Sequence, residues 1–202
     1  MGPVVRRALD VTVAAGLLAL TAPVLAVAAL AVRVWLGAPV LFHQQRAGRH
    51  GVPFDLVKLR TMRTASPDDE GPDSDLRRLG PLGRFLRATS IDELPSLVAV
   101  LRGDMSIVGP RPLPVRYVDR YTPRQTRRLE VRPGLTGWAQ VNGRNALGWD
   151  ERLDLDVWYV EHQSVALDLR IMARTAGVVL SGSGISHGGH ATMPELPAAR
   201  SS

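Results

Sequence analysis

The chain contains no cysteine, so a disulfide framework is excluded and its folding does not depend on an oxidising compartment. Negative charge is in deficit: 25 basic residues against 19 acidic ones leave a net charge of +6, almost all of the excess being arginine. That balance suits phosphate-rich partners such as nucleotide diphosphates, anionic headgroups or nucleic acid. Between Val11 and Val32 charge is missing altogether, and the run is almost entirely Ala, Leu and Val, long enough to cross a bilayer. His162, His187 and His190 lack metal-binding spacing. With 202 residues there is room for one catalytic domain and a membrane element.

The apolar run allows three readings. Arg6-Arg7 before it and the small-x-small triplet Ala26-Val27-Ala28 fit a signal peptide, and its length fits a spanning helix. The third is a helix that enters the membrane and returns. Arginine lies on both flanks, at Arg6 and Arg7 and again at Arg33, Arg46 and Arg49, which places both ends on the cytoplasmic side. Pro23 in the middle removes a helix hydrogen bond and opens a bend where Thr21 can satisfy the freed carbonyl.

Beyond this segment, 40–49 and 52–62 read as two short strands around a glycine-containing turn. Lys58 and Arg60 share one face of the second strand, ready for phosphate or simply solvated at an edge. The polar stretch 64–75, with Asp68-Asp69-Glu70 among Pro and Gly, predicts a loop. Leu76 to Arg87 is a basic amphipathic pattern interrupted at Gly80-Pro81, suited to a headgroup surface or to packing on the core. Short arginine-rich helices are expected over 115–121 and 123–130, and longer ones over 149–162 and 167–180, with Asp168 at the start of the last. The glycines from Arg132 to Arg144 predict a loop whose backbone approaches a ligand or the membrane closely. From Ser181 onward the composition predicts a disordered tail.

The chemistry concentrates in Thr89-Ser90-Ile91-Asp92-Glu93-Leu94-Pro95. Two adjacent carboxylates lie between Arg87 and Arg111 in a segment otherwise apolar or small. A carboxylate can hold a divalent cation or attack phosphorus, while guanidinium groups neutralise phosphate oxygens. The plainer alternative is a capping box, Ser90 to Glu93, opening a helix. Pro95 argues against that register and for Leu94 as N-cap, with Leu94, Leu97, Val98 and Leu101 on one apolar face and Gly103 closing the helix.

The run Thr89 to Pro95, continued by Met105-Ser106-Ile107-Val108-Gly109-Pro110-Arg111-Pro112, resembles the signature of the bacterial sugar transferase family, the monotopic phosphoglycosyl transferases that start glycan assembly on a polyprenol phosphate. Further matches at Phe54 to Met62 and Arg132 to Arg144 stand in the family's order. The resemblance implies an α/β fold, mostly helical with a small β-hairpin, carrying a re-entrant N-terminal membrane helix and surface amphipathic helices. It divides the chain into an anchor over 1–36, a cytosolic catalytic domain over 37–181 and a tail over 182–202. The activity it implies is transfer of a sugar-1-phosphate from a UDP-sugar to polyprenol phosphate, undecaprenyl phosphate being the expected carrier, with release of UMP.

Carried onto this sequence, Asp92 is the nucleophile and a magnesium ligand, and Glu93 its partner in positioning the metal or moving a proton. Arg87 and Arg111 clamp phosphates, Pro110 and Pro112 shape the nucleotide pocket, and Lys58, Arg60 and Asp168 are further substrate-binding positions. The implied partners are the UDP-sugar, the polyprenol phosphate and membrane lipids at the cytoplasmic face of the bacterial inner membrane, with no nucleic acid and with homodimerisation left open. The competing function is a non-catalytic basic module that binds anionic lipid or nucleic acid at a membrane surface, which gives no reason for Asp92-Glu93 to stand among arginines.

Overall fold

The computed structural model describes residues 3–65, 74–143, 147–181 and 195–197. The Asp68-Asp69-Glu70 loop, Arg144, His187 and His190 lie outside them. Among the described residues the fold is mostly helical with two small two-stranded sheets, which fits the expected class.

Helix α1 (Pro3–Trp35) runs 33 residues through Pro23, where the Thr21 hydroxyl donates to the Leu17 carbonyl. Its buried residues Asp10, Ala14, Ala28 and Val32 share one stripe, while Leu20, Val24, Val27, Leu30 and Val34 stay exposed. An apolar face left open over that length is the signature of a lipid-facing element.

Both ends of α1 rest on the same body. At its start, Arg6 bonds Tyr159 and Asp168, Arg7 donates to the Val100 and Leu101 carbonyls at 2.6 and 2.8 Å, and Asp10 accepts from Ser106 Oγ and the Ile107 amide at 2.7 and 2.8 Å. At its end, Ala28 and Val32 pack with Leu59 and Leu86. A segment removed after Ala28 would strip Asp10 and Ala14 from the interior, so the packing does not suit a signal peptide.

The expected strands form the hairpin β1 (Leu41–Ala47) and β2 (Pro53–Leu59), with Leu41 opposite Leu59 and Ala47 opposite Pro53. The connecting turn holds His50 and Gly51 at positive φ. The short helices α2 (Ser74–Arg78) and α3 (Pro81–Ala88) follow, Pro81 taking the first-turn position where its missing N–H costs nothing.

The carboxylate segment departs from expectation. Ile91–Ser96 is a 3-10 turn that leads directly into α4 (Leu97–Arg102). Ser90 precedes it in the left-handed region at φ 57° and makes no side-chain cap, so neither the capping box nor a helix opening at Leu94 is formed. Gly103 does close α4, at φ 96°. The buried face of α4 is Leu97, Ala99 and Val100, whereas Val98 and Leu101 are exposed. The preceding 3-10 turn has three residues per turn, which rotates the following helix away from the face an α-helical count predicts.

Strands β3 (Ser106–Val108) and β4 (Gly134–Thr136) pair in parallel, with the Gly109 amide bonded to Thr136 O and the Gly134 amide to Pro110 O. A Cβ on Gly134 would meet Gly109 N at 2.1 Å, and one on Gly137 would meet Gly109 O at 2.2 Å. These glycines permit chain to approach chain, a tighter constraint than the ligand or membrane approach expected of this loop. Helices α5 (Pro123–Thr126), α6 (Trp138–Val141), α7 (Trp149–His162) and α8 (Val165–Ser181) complete the described chain, α7 with the bounds the sequence predicts.

Part of the expected tail is docked. Leu196 is buried with Tyr117, Tyr121 and Leu153, and Glu195 pairs with Arg116 and Arg120. No periodicity announces such a contact, because one leucine and one glutamate suffice for it.

Candidate active site

Three separate elements meet at the carboxylate pair. The 3-10 turn presents Asp92 and Glu93, β2 supplies Lys58, and the chain leaving β3 supplies Arg111. Ser96 ties the turn to the hairpin by donating to Val57 O at 2.9 Å. Lys58 Nζ lies 2.5 Å and Arg111 Nη2 2.8 Å from the same oxygen, Glu93 Oε1. Arg87, near the end of α3, donates from Nε to Thr61 Oγ1 at 3.0 Å. Pro112 joins Lys58, Glu93, Ser96 and Arg111 in lining one small cavity, while Pro110 contributes its carbonyl to the β3–β4 junction.

The two carboxylates are electrostatically unlike. Burial opposes the charge on Glu93, but Arg111 and Lys58 outweigh it and hold this carboxyl well below the usual range. Asp92 is 7% exposed, and among the described residues none donates a hydrogen bond to it. Burial first, and the neighbouring Glu93 charge second, raise Asp92 to about 6 against the pull of Lys58, Arg87 and Arg111. Lys58 and Arg111 are paired with Glu93, so their pull on Asp92 does not offset its burial. Lys58 is itself pulled down by burial against Glu93.

Two predicted positions make their contacts away from the carboxylate pair. Arg60 donates to the carbonyls of Leu36, Gly37 and Ala38 and to Thr64, so its guanidinium latches the end of α1 to the hairpin. Arginine is long enough to reverse the face that strand alternation assigns, and free carbonyls at a helix end attract it. Asp168 lies in a different cavity, with Arg6, Asp10 and Ile107, and accepts from Tyr159 at 2.7 Å. Arg46 was legible only as flanking charge, yet it lines the cavity of Lys58, Glu93 and Arg111. Its position on the strand neighbouring β2 was the available signal.

Among the described residues no three His, Cys, Asp or Glu side chains converge as a metal cage. Of the two carboxylates, the one not paired with a cation among the described residues is Asp92. Such a carboxylate fits magnesium, which keeps its waters and takes one or two carboxylates together with substrate phosphates.

The family model described as bacterial sugar transferase matches residues 1–182. The chain belongs to that family. It is 48% identical over 192 residues, 94% of each chain, to the "Uncharacterized sugar transferase EpsL" of Bacillus subtilis. To the UDP-glucose:undecaprenyl-phosphate glucose-1-phosphate transferase of Caulobacter vibrioides it is 45% identical over 188 residues, 87% of this chain and 70% of that one. The undecaprenyl-phosphate galactose phosphotransferase of Salmonella typhimurium is 39% identical over 165 residues, covering 73% of this chain and 35% of the longer relative. The protein is thus a transferase of the phosphoglycosyl class, and a purely non-catalytic lipid- or nucleic-acid-binding module is set aside.

Proposed function

We propose that this chain transfers a sugar-1-phosphate from a UDP-sugar to polyprenol phosphate, undecaprenyl phosphate being the expected acceptor, through a covalent phosphosugar intermediate on Asp92. The observation that carries the reading is the division of labour in the pair: a buried carboxylate near pKa 6 that no donor among the described residues engages, beside a second one fastened between Lys58 and Arg111. An unengaged carboxylate, ionised at neutral pH and surrounded by cations, is equipped to attack phosphorus. The names of the Caulobacter and Salmonella relatives support the substrate pair.

In the first step an Asp92 oxygen attacks the phosphorus bearing the sugar. The new O–P bond forms as the P–O bond to the nucleoside phosphate breaks, and UMP departs with the electron pair. A phosphate oxygen of the lipid then attacks the same phosphorus and returns Asp92 as a free carboxylate, giving the polyprenyl-diphospho-sugar. Glu93 sits too far below neutrality to carry a proton at pH 7; it holds Lys58 and Arg111 where the diphosphate arrives. Arg87 faces Asp92 from α3 and offsets charge on the transferred phosphoryl group. Asp92 would also be the residue that holds magnesium, which when bound would supply further charge neutralisation.

The anchor over 1–36 is re-entrant in this reading and the catalytic domain over 37–181 faces the cytoplasm. What supports re-entry is that Arg6, Arg7 and Asp10 at one end of α1 and Val32 at the other pack on one body. A helix crossing once would carry its ends to opposite sides.

Incubating the purified protein with UDP-sugars one at a time, without lipid, should release UMP and leave a phosphosugar adduct that mass spectrometry maps to Asp92. Asp92→Asn should abolish adduct and turnover, and thorough chelation should suppress both. UMP release that waits for polyprenol phosphate would replace the covalent route with direct transfer.

A further inference from the structure

The cavity beside Glu93 is lined by three cations, Arg46, Lys58 and Arg111, and by a single carboxylate, Glu93, which both Lys58 and Arg111 already contact. Among the described residues Arg46 makes no ion pair, the Glu93 charge acting on it only from a distance. Its Nη2 donates to Gln44 Oε1 at 2.5 Å and its Nη1 to the Pro112 carbonyl at 3.2 Å, both neutral acceptors, and its Nε is buried with no partner. Among the described residues no carboxylate lies within ion-pairing distance of it. A half-buried guanidinium next to another guanidinium and satisfied only by neutral groups is unfavourable in the protein alone, and becomes favourable when an anion enters.

We propose that Arg46 is a further binding residue of this site, donating to the diphosphate of the nucleotide-sugar donor. The proposal rests on the donor chemistry argued above and extends it to a residue outside the carboxylate segment. Gln44 and Pro112 hold the side chain in place before the ligand arrives, which limits the conformational entropy lost on binding. The surplus of two positive charges in the cavity matches a group carrying two phosphates. Burial, followed by the nearby Arg111 charge, lowers the Arg46 guanidinium to about 10, in line with a cation whose compensation comes from a ligand.

The test is equilibrium binding of UDP, UMP and uridine to the full-length protein in detergent, by calorimetry, for wild type, Arg46→Gln and Arg46→Lys. Arg46→Gln should weaken UDP by about tenfold or more and uridine hardly at all, with Arg46→Lys between wild type and Gln for UDP, since lysine keeps the charge and loses the fork. Steady-state turnover should show the same order as a rise in KM for the UDP-sugar. Should Arg46→Gln fail to fold, Arg46→Lys carries the test with the same contrast between UDP and uridine. Unchanged UDP affinity, or an equal loss for UDP and uridine, overturns the role of Arg46. Wild-type protein that binds UDP and discriminates its variants as expected, yet transfers phosphosugar from no donor, would instead overturn the transferase reading.

Discussion

At the scale of single residues, the Asp92-Glu93 pair shows how identical charges acquire different tasks. Glu93 is committed to Lys58 and Arg111, and its negative charge is one reason that Asp92 resists ionisation. The rate of adduct formation on Asp92 should therefore fall on acidification through about pH 6, because the attacking form is the carboxylate. Glu93→Gln removes the like charge and leaves Lys58 and Arg111 facing Asp92, so this acid limb should move to lower pH even as the rate itself drops; single-turnover measurements across pH check it. A limb that stays in place would show that the Glu93 charge does not contribute to the Asp92 value.

The same shift has a stability counterpart. A carboxyl whose folded pKa is raised favours the fold fully below its unfolded value near 3.8 and loses that contribution as pH rises through about 6. Asp92→Asn imitates the protonated form, so at pH 7.5 it should be more stable than wild type by about 1 to 3 kcal/mol, with the gap closing below about pH 4. Thermal melts of both proteins in detergent across that range measure it.

At the scale of elements, α3 illustrates how backbone contact places a functional side chain. Gly83 lies against β2's extension so closely that a Cβ would stand 1.9 Å from Thr61 O. Thr61 in turn accepts from Arg87, one helical turn further along. Gly83→Ala must push α3 off the hairpin, costing about 2 kcal/mol or more, and should slow adduct formation by displacing Arg87. A melting point and rate equal to wild type would show that α3 adjusts freely. The hairpin, α3, α7 and α8 were legible because turn residues, Pro81 and long periodic runs each act locally. The face of α4 was not, because a 3-10 turn and an α-helix count residues differently and the switch between them occurs without a sequence marker.

At the scale of the whole molecule, α1 belongs at once to lipid and to protein. Asp10 is a charged group in the interior, tolerated because Ser106 and the Ile107 amide satisfy it, and Arg60 grips the carbonyls at the other end. The absence of native cysteine makes the topology testable by labelling. Cysteines introduced at Val4 and Ala38 should both resist a membrane-impermeant maleimide in intact cells and both react after permeabilisation. Labelling of one position alone in intact cells would mean that the helix crosses.

What the sequence determined by itself is whatever depends on residue order: the apolar run and its flanking arginines, the hairpin, the longer helices, and the family signature around Asp92. Chemistry of that kind is carried by adjacent residues, and adjacency is visible in the chain. What only the tertiary structure decided is the allocation of charge. Arg46 and Lys58 come from the two strands of one hairpin and Arg111 from a segment far along the chain, and which of them meets Glu93, which is left for a ligand, and which arginine is taken by backbone carbonyls follow from distances of a few ångströms. Electrostatic energy in a partly buried site depends on those distances and on desolvation, and neither is written in the order of residues.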